Sequence, residues 1–203
     1  GERSPAERLA LLEGYRQQLR RLDPAPGADP GTALPTDPAL FDALAALVGQ
    51  YQLPLQALHD LLDAFSQDVT TDRYPDFAAL LQYCQRSAAP VGRLMLQLFK
   101  HTGIHIDARS LQRSDDICCA LQLINFWQDV AVDLAKDRIY LPQDDMRRHG
   151  VSEAQLRVGE TNQRWRSLMQ EQVARARAML ESGAPLVHRL HGRISLELKM
   201  IVQ

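Results

Sequence analysis

Four polar side chains recur along one stretch of the chain, Gln122-Leu-Ile-Asn125-Phe-Trp-Gln-Asp129-Val-Ala-Val-Asp133. On an α-helix, at about 100° per residue, Gln122, Asn125, Asp129 and Asp133 fall inside one arc of roughly 80°. Cys118 lies in the same arc one turn earlier. Two carboxylates four residues apart, with an amide oxygen one turn before them, are hard oxygen donors of the kind Mg²⁺ takes. The other positions carry Leu121, Leu123, Ile124, Trp127, Val130, Val132 and Leu134, so the helix is apolar over most of its circumference. Such a helix is normally buried on nearly all sides. A buried carboxylate stays charged only when paired or bound to a cation. The competing expectation is a polar stripe that merely faces solvent; the apolar remainder of the helix favours burial.

The segment that follows reads Lys136-Asp-Arg138-Ile-Tyr140-Leu-Pro142. Two cations at a helix end complement the helix dipole, worth a few tenths of a kcal/mol. Beside a Mg²⁺ site they gain a second use, because Mg²⁺ commonly works with substrate phosphates. Lys136 and Arg138 would then hold phosphate oxygens that the metal does not. Tyr83-Cys84 to Val91-Gly92 sets a phenol among small residues and indicates tight helix packing. The acidic pairs Asp115-Asp116 and Asp144-Asp145 are expected to be caps or surface residues, since helical neighbours diverge. The six histidines lack metalloprotease spacing, and there is no Gly-x-Gly-x-x-Gly, Walker loop or Gly-x-Ser-x-Gly. These absences argue against a dinucleotide fold and a triad hydrolase.

A chain of 203 residues can bury a full core as one domain. A net charge of −2 gives no electrostatic reason to expect nucleic acid or an anionic membrane as partner. Cys84, Cys118 and Cys119 make no even disulfide set, and adjacent helical cysteines are poorly placed to bridge. A reduced, cytoplasmic compartment is the simpler reading. No apolar run approaches the ~20 residues of a spanning helix, and no signal peptide precedes the first charges.

The elements that must carry these residues are helices. Ser4-Pro5-Ala-Glu7 is a capping box with proline in the first turn, and Leu9, Leu12, Tyr15, Leu19 and Leu22 follow at helical spacing. Residues 23–38 are rich in Pro and Gly and read as an irregular connection between helices. Asp37-Pro38 opens a second helix to about Val48, and Leu53-Pro54 a third bearing Leu55, Leu58, Leu61, Leu62 and Phe65. Further helices are expected over 77–87, over 91–99 after a break at Ala89-Pro90, and over 110–135. The last three begin at the capping box Ser152-Glu-Ala-Gln155, at Asn162 and at Pro185. No β-alternation of useful length and no solenoid repeat occurs. The class is an all-α, multi-helix bundle.

Gln-x-x-Asn-x-x-x-Asp-x-x-x-Asp followed by Arg-x-Tyr-Leu-Pro resembles the second aspartate-rich motif of the squalene/phytoene synthase family. Gln122, Asn125, Asp129, Asp133, Arg138, Tyr140, Leu141 and Pro142 fill every position. The stretch Tyr83-Cys84 to Val91-Gly92 is similar to the family's prenyl-cavity lining, and Asp68 to Tyr74 extends the resemblance over roughly 60–203. Asn-Phe-Trp-Gln-Asp and Leu-Leu-Asp-Ala-Phe-x-Gln-Asp-Val resemble the bacterial hydroxysqualene synthase branch. Phytoene and squalene synthases usually place Arg where Gln128 stands.

The resemblance implies an isoprenoid-synthase bundle with a central apolar cavity. It implies that Asn125, Asp129 and Asp133 hold Mg²⁺, with Mn²⁺ as a substitute. Arg138, Lys136 and Tyr140 would receive the departing diphosphate, and Tyr83 and Gln122 would point into the pocket. Val91, Gly92, Met95, Cys118 and Leu121 would border the prenyl chains. The implied reaction is ionisation of presqualene diphosphate and capture of water to give hydroxysqualene, without NADPH and with peripheral membrane contact. The runner-up is head-to-head condensation of farnesyl diphosphate or a related prenyl diphosphate; a non-catalytic helical adaptor is the other class. Nothing in residues 1–60 matches the family's first aspartate-rich motif, and the last helix stops where relatives continue. The chain is therefore expected to be one isoprenoid-synthase-like domain, 1–203, seen without its first motif.

Overall fold

The computed structural model describes residues 3–22 and 37–202, so the connection expected over 23–38 lies almost wholly outside the described residues. In chain order the helices are α1 (Pro5–Arg21), α2 (Pro38–Tyr51), α3 (Leu55–Thr70), α4 (Phe77–Ser87), α5 (Ala89–Lys100) and α6 (Ala108–Gln128). They continue as α7 (Val130–Leu134), α8 (Gln143–His149), α9 (Glu153–Val158), α10 (Gln163–Gly183), a 3₁₀ turn (Ala184–Arg189) and α11 (Gly192–Ile201). Among the described residues the sole β feature is one isolated parallel bridge, Arg73 with Ile139. The all-α expectation holds.

Most helices start where a side chain can take the first free amides. Ser4 and Glu7 complete the expected box, and Asp37, Asp76, Asp107, Ser152 and Asn162 each accept from the amide three residues on. At α9 only half of the expected box forms, because Gln155 turns to the Glu160 carbonyl and Asn162 instead. The break between α4 and α5 falls at Ala88, and Pro90 sits inside the first turn of α5, where its missing N–H costs nothing. The expected last helix is divided into the 3₁₀ turn and α11. No helix among the described residues is long and apolar enough to cross a membrane.

Helix α6 sits in the middle. Its buried Leu123, Phe126 and Trp127 pack with Ala64, Leu80, Cys84, Leu168 and Ala176 from α3, α4 and α10. On another side Ile117 joins Leu96, Leu186 and Leu190. Two glycines let neighbours approach it closely. A Cβ on Gly183 of α10 would overlap Ile117 Cγ1 and stand 2.6 Å from the Arg113 carbonyl. A Cβ on Gly92 of α5 would overlap the Ser114 hydroxyl and stand 2.6 Å from Cys118 Sγ.

One member of each acidic pair departs from the expectation of caps and surface, while Asp144 is exposed and Asp116 half-buried. Asp115 is buried and forked by Arg93 of α5, at 2.9 and 2.6 Å. Asp145 is only 1% exposed and accepts from Arg148, Arg175 and Gln172, the last at 2.8 Å. Glu171 takes Arg148, Arg175 and His149. Their main partners come from helices remote in the chain, which adjacency in sequence does not reveal. The cluster pins α8 onto α10, with Arg175 also 4.5 Å over the Phe77 ring.

Two outcomes test this packing. Gly183→Ala meets Ile117 and backbone rather than a flexible side-chain tip, so it should destabilise the fold by about 1–3 kcal/mol, read as a lower midpoint in denaturant. The Arg148 hydrogen bond, aided by His149, holds the Glu171 carboxyl down at about 2 against an ordinary 4.5. A depressed folded pKa stabilises above the unfolded value and is lost as pH falls through the folded one. Melting temperature should therefore decline from about pH 4.5 toward 2, and Glu171→Gln should flatten that decline.

Candidate functional site

The helix expected over 110–135 is two helices meeting at Asp129, whose φ of −98° and ψ of 14° leave the helical region. The amide ladder still runs through, from Asp129 N–H to the Asn125 carbonyl and from Asp133 N–H to the Asp129 carbonyl, both 2.9 Å. The stripe therefore keeps its order. Its burial does not match expectation: Asn125 and Asp129 are exposed, and Gln122 and Asp133 half-buried. The apolar faces of α6 are consumed by α10, α4 and the Ile117 cluster, and the polar arc is the side left over. Asn125, Asp129, Asp133 and Gln122 have no side-chain hydrogen bond or ion pair among the described residues. Partial burial raises the pKa of Asp133, and the charge of Asp129 raises it further, against Lys136 and Arg138.

Below Asp133 the chain turns back. The Asp133 carbonyl accepts from both the Lys136 and Arg138 amides at 2.9 Å, with Asp137 between them at a left-handed φ of 57°. Lys136 is exposed, with no side-chain hydrogen bond or close ion pair among the described residues, and its charge acts on Asp133. Arg138 is half-buried. It donates to the Tyr140 hydroxyl at 3.2 Å and to the Asp68 carbonyl, and its guanidinium lies 3.5 Å from the Asp68 carboxylate and 4.0 Å from Asp72. Tyr83 is buried and donates to Asp68 Oδ1 at 2.7 Å. Burial, and then Asp68, push the Tyr83 phenol well above its ordinary pKa. Tyr140 lies flat on Phe126, ring centroids 3.7 Å apart, and Tyr74 stands 5.4 and 5.8 Å from Tyr83 and Tyr140.

The structure thus brings Tyr83, Arg138 and Tyr140 into one polar and aromatic cluster under Asp133. Among the described residues, those expected to border the prenyl chains have different surroundings. Val91 and Met95 are 47% and 50% exposed, while Gly92 is buried in the contact with Ser114 and Cys118. Leu121 packs into the cluster around Leu96 and Ile117. Two hollows lie elsewhere: about 520 Å³ between α6 and α10, bordered by Trp127, Gln128 and Val173, and about 710 Å³ beside Arg86, Arg93 and Arg175. Neither is bordered by these five residues. Asp68, Asp72 and Tyr74 also join the cluster around Arg138 and Tyr140. Asp68 and Asp72 repeat the four-residue spacing of Asp129 and Asp133 at a helix end, and that repeat was the available signal.

Chemically, two unpartnered carboxylates and an amide in successive turns fit a hard cation that keeps waters and substrate oxygens in its shell. Among the described residues no group of three His, Cys, Asp or Glu is gathered to hold a metal ion.

The family model for squalene/phytoene synthase matches residues 1–203. The chain belongs to the squalene/phytoene synthase family. It is 35% identical over 156 residues to a phytoene synthase of Thermus thermophilus, covering 76% of this chain and 52% of that protein. It is 30% identical over 218 residues to a hydroxysqualene synthase of Sinorhizobium fredii, covering 98% and 72%. The chain thus spans about half the length of the Thermus relative. Among solved structures, squalene synthase HpnC from Alicyclobacillus acidocaldarius superposes with a TM-score of 0.81 at 30% identity, over 95% of this chain and 68% of that one. The fold is the all-α isoprenoid synthase fold.

Carboxylates without partners contribute nothing to the fold and repel each other. Asp129→Asn and Asp133→Asn should therefore leave the melting temperature unchanged or slightly higher. A loss above about 1 kcal/mol would mark either as structural.

Proposed function

We propose that this chain carries the diphosphate-ionising half of a Mg²⁺-dependent reaction on a prenyl diphosphate, as one isoprenoid-synthase-like domain. The observation that carries the reading is the unpartnered Asn125–Asp129–Asp133 arc directly above Lys136 and Arg138. Mg²⁺ bound there would withdraw charge from the diphosphate and make it a better leaving group. Asn125, Asp129 and Asp133 would supply the oxygens that orient it. Lys136, free in solvent, would reach the departing anion first, with Arg138 and Tyr140 fixed behind it. Tyr83, its one hydroxyl proton donated to Asp68, is unsuited to acting as a base at neutral pH and would serve to hold Asp68 in place. Gln122 would face the substrate head beside it.

The specific reaction proposed is that of hydroxysqualene synthase. The carbon–oxygen bond of presqualene diphosphate breaks with both electrons leaving on the diphosphate. The rearranged carbocation is captured by a water oxygen, which loses one proton, and no reductant is consumed. Similarity to the Sinorhizobium hydroxysqualene synthase over 98% of the chain and the wording Asn-Phe-Trp-Gln-Asp support it. The Thermus phytoene synthase at 35% identity supports the second reading, head-to-head condensation of prenyl diphosphates. Gln128 separates the two weakly, because it lines the hollow toward α10. A cytoplasmic enzyme meeting its substrate at the membrane periphery is consistent with either.

Full-length protein given presqualene diphosphate and Mg²⁺ without NADPH should form hydroxysqualene, and Asp129→Asn should lower kcat by at least about 10²-fold. Condensation of farnesyl diphosphate with no action on presqualene diphosphate would select the second reading. Retained turnover in Asp129→Asn would reject both.

A further inference from the structure

Arg73 lies next to the cation loop, yet all of its donors are taken by protein acceptors. Its Nε donates to Glu153 Oε1 at 2.9 Å, and Nη2 to Glu153 Oε2 at 3.0 Å and to Asp137 Oδ1 at 2.9 Å. Nη1 donates to the Asp72 carbonyl at 3.0 Å and to the Asp137 carbonyl. A guanidinium has five N–H groups in a fixed fork, and here all five are occupied by protein. Two of the five go to Asp137, the left-handed residue between Lys136 and Arg138, one to its carbonyl and one to its carboxylate. Left-handed backbone is uncommon for a residue other than glycine and persists where its surroundings impose it. Arg157 holds the same carboxylate at 2.9 Å. The backbone runs in parallel: Ile139 N–H bonds the Asp72 carbonyl at 3.0 Å, and Gln143 N–H the Tyr74 carbonyl at 2.9 Å.

We propose that Arg73 is a positioning residue of the diphosphate site, fixing the turn that aims Lys136 and Arg138 and leaving no donor of its own for substrate. This rests on the diphosphate reading of the loop above. Arg73 acts through Asp137 and never touches the ligand, so its effect is confined to the orientation of the two cations. A lysine could not replace it, since one ammonium cannot span Glu153, the Asp72 carbonyl, and the carbonyl and Oδ1 of Asp137.

The experiment is calorimetric titration of the full-length protein with inorganic diphosphate in Mg²⁺. Wild type, Arg73→Ala, Arg73→Lys, Glu153→Gln, the double variant Lys136→Ala/Arg138→Ala, and that double variant with Arg73→Ala are compared, with melting temperature read on each. Arg73→Ala and Arg73→Lys should weaken diphosphate by about tenfold, the scale of one charge-assisted hydrogen bond. Glu153→Gln, which loosens the fork but keeps the guanidinium, should show a smaller loss in the same direction. With Lys136 and Arg138 already removed, Arg73→Ala should cost almost nothing more. An equal further loss in that background would make Arg73 an independent ligand and overturn the proposal. So would diphosphate affinity unchanged in a folded Arg73→Ala. If Lys136→Ala/Arg138→Ala binds diphosphate as wild type does, the reading of the loop fails instead, before Arg73 is in question.

Discussion

The close contacts of α6 with α5 and α10 govern the rest of the molecule. Gly92 on one side and Gly183 on the other bring neighbouring helices to distances that any side chain would forbid. Phe126, Leu123 and Trp127 fill the inner faces against α3, α4 and α10. Once those sides are taken, the arc of Gln122, Asn125 and Asp129 can only be the remaining one. The donor arc is thus held rigid by packing it does not itself take part in. Site groups on a well-packed helix are placed more accurately than the same groups on a loop.

The charges divide along the same line. Asp115, Asp145, Glu171, Glu153 and Asp137 each hold an arginine. Asp129 and Asp133, one turn apart, hold none. Placing two like charges side by side without a counter-ion opposes folding, and proteins tolerate such conflicts mainly where a ligand resolves them. At the half-buried Asp133 burial is the main cause of the raised pKa, the charge of Asp129 adds to it, and Lys136 and Arg138 oppose it.

Much of the fold was legible because it is local. Ser4, Asp37, Ser152 and Asn162 announce helix starts through bonds three residues long, and the apolar period assigns the class. The order of the site along the chain was legible for the same reason, since 122, 125, 129 and 133 share a helical face whatever surrounds it. What that face meets was not. An apolar remainder suggested burial on all sides, yet the neighbours stop short of Asn125 and Asp129. The interruption at Asp129 had no proline or glycine to signal it. The partners of Asp68, Arg73 and Asp145 were not legible because they lie from 15 to 80 positions away, at Tyr83, Arg138, Glu153 and Arg175.

The two cations of the loop are therefore not equivalent, although their sequence setting is alike. Arg138 is engaged with Asp68, Asp72 and Tyr140, and Tyr140 in turn lies on Phe126 of α6. Its position is thus tied through an aromatic ring to the helix that carries Asn125 and Asp129. Lys136 has a flexible stem, an exposed ammonium and no such tie. A fixed guanidinium supplies a constant field at little reorganisation, while a mobile ammonium can follow a leaving anion outward. An arriving anion would have to compete with the hydrogen-bonded Asp68 contact for Arg138, but only with water and the more distant charge of Asp133 for Lys136. Hydration is the weaker restraint on a point charge already at the surface, so the loop presents its lysine first and keeps its arginine as the anchored background charge.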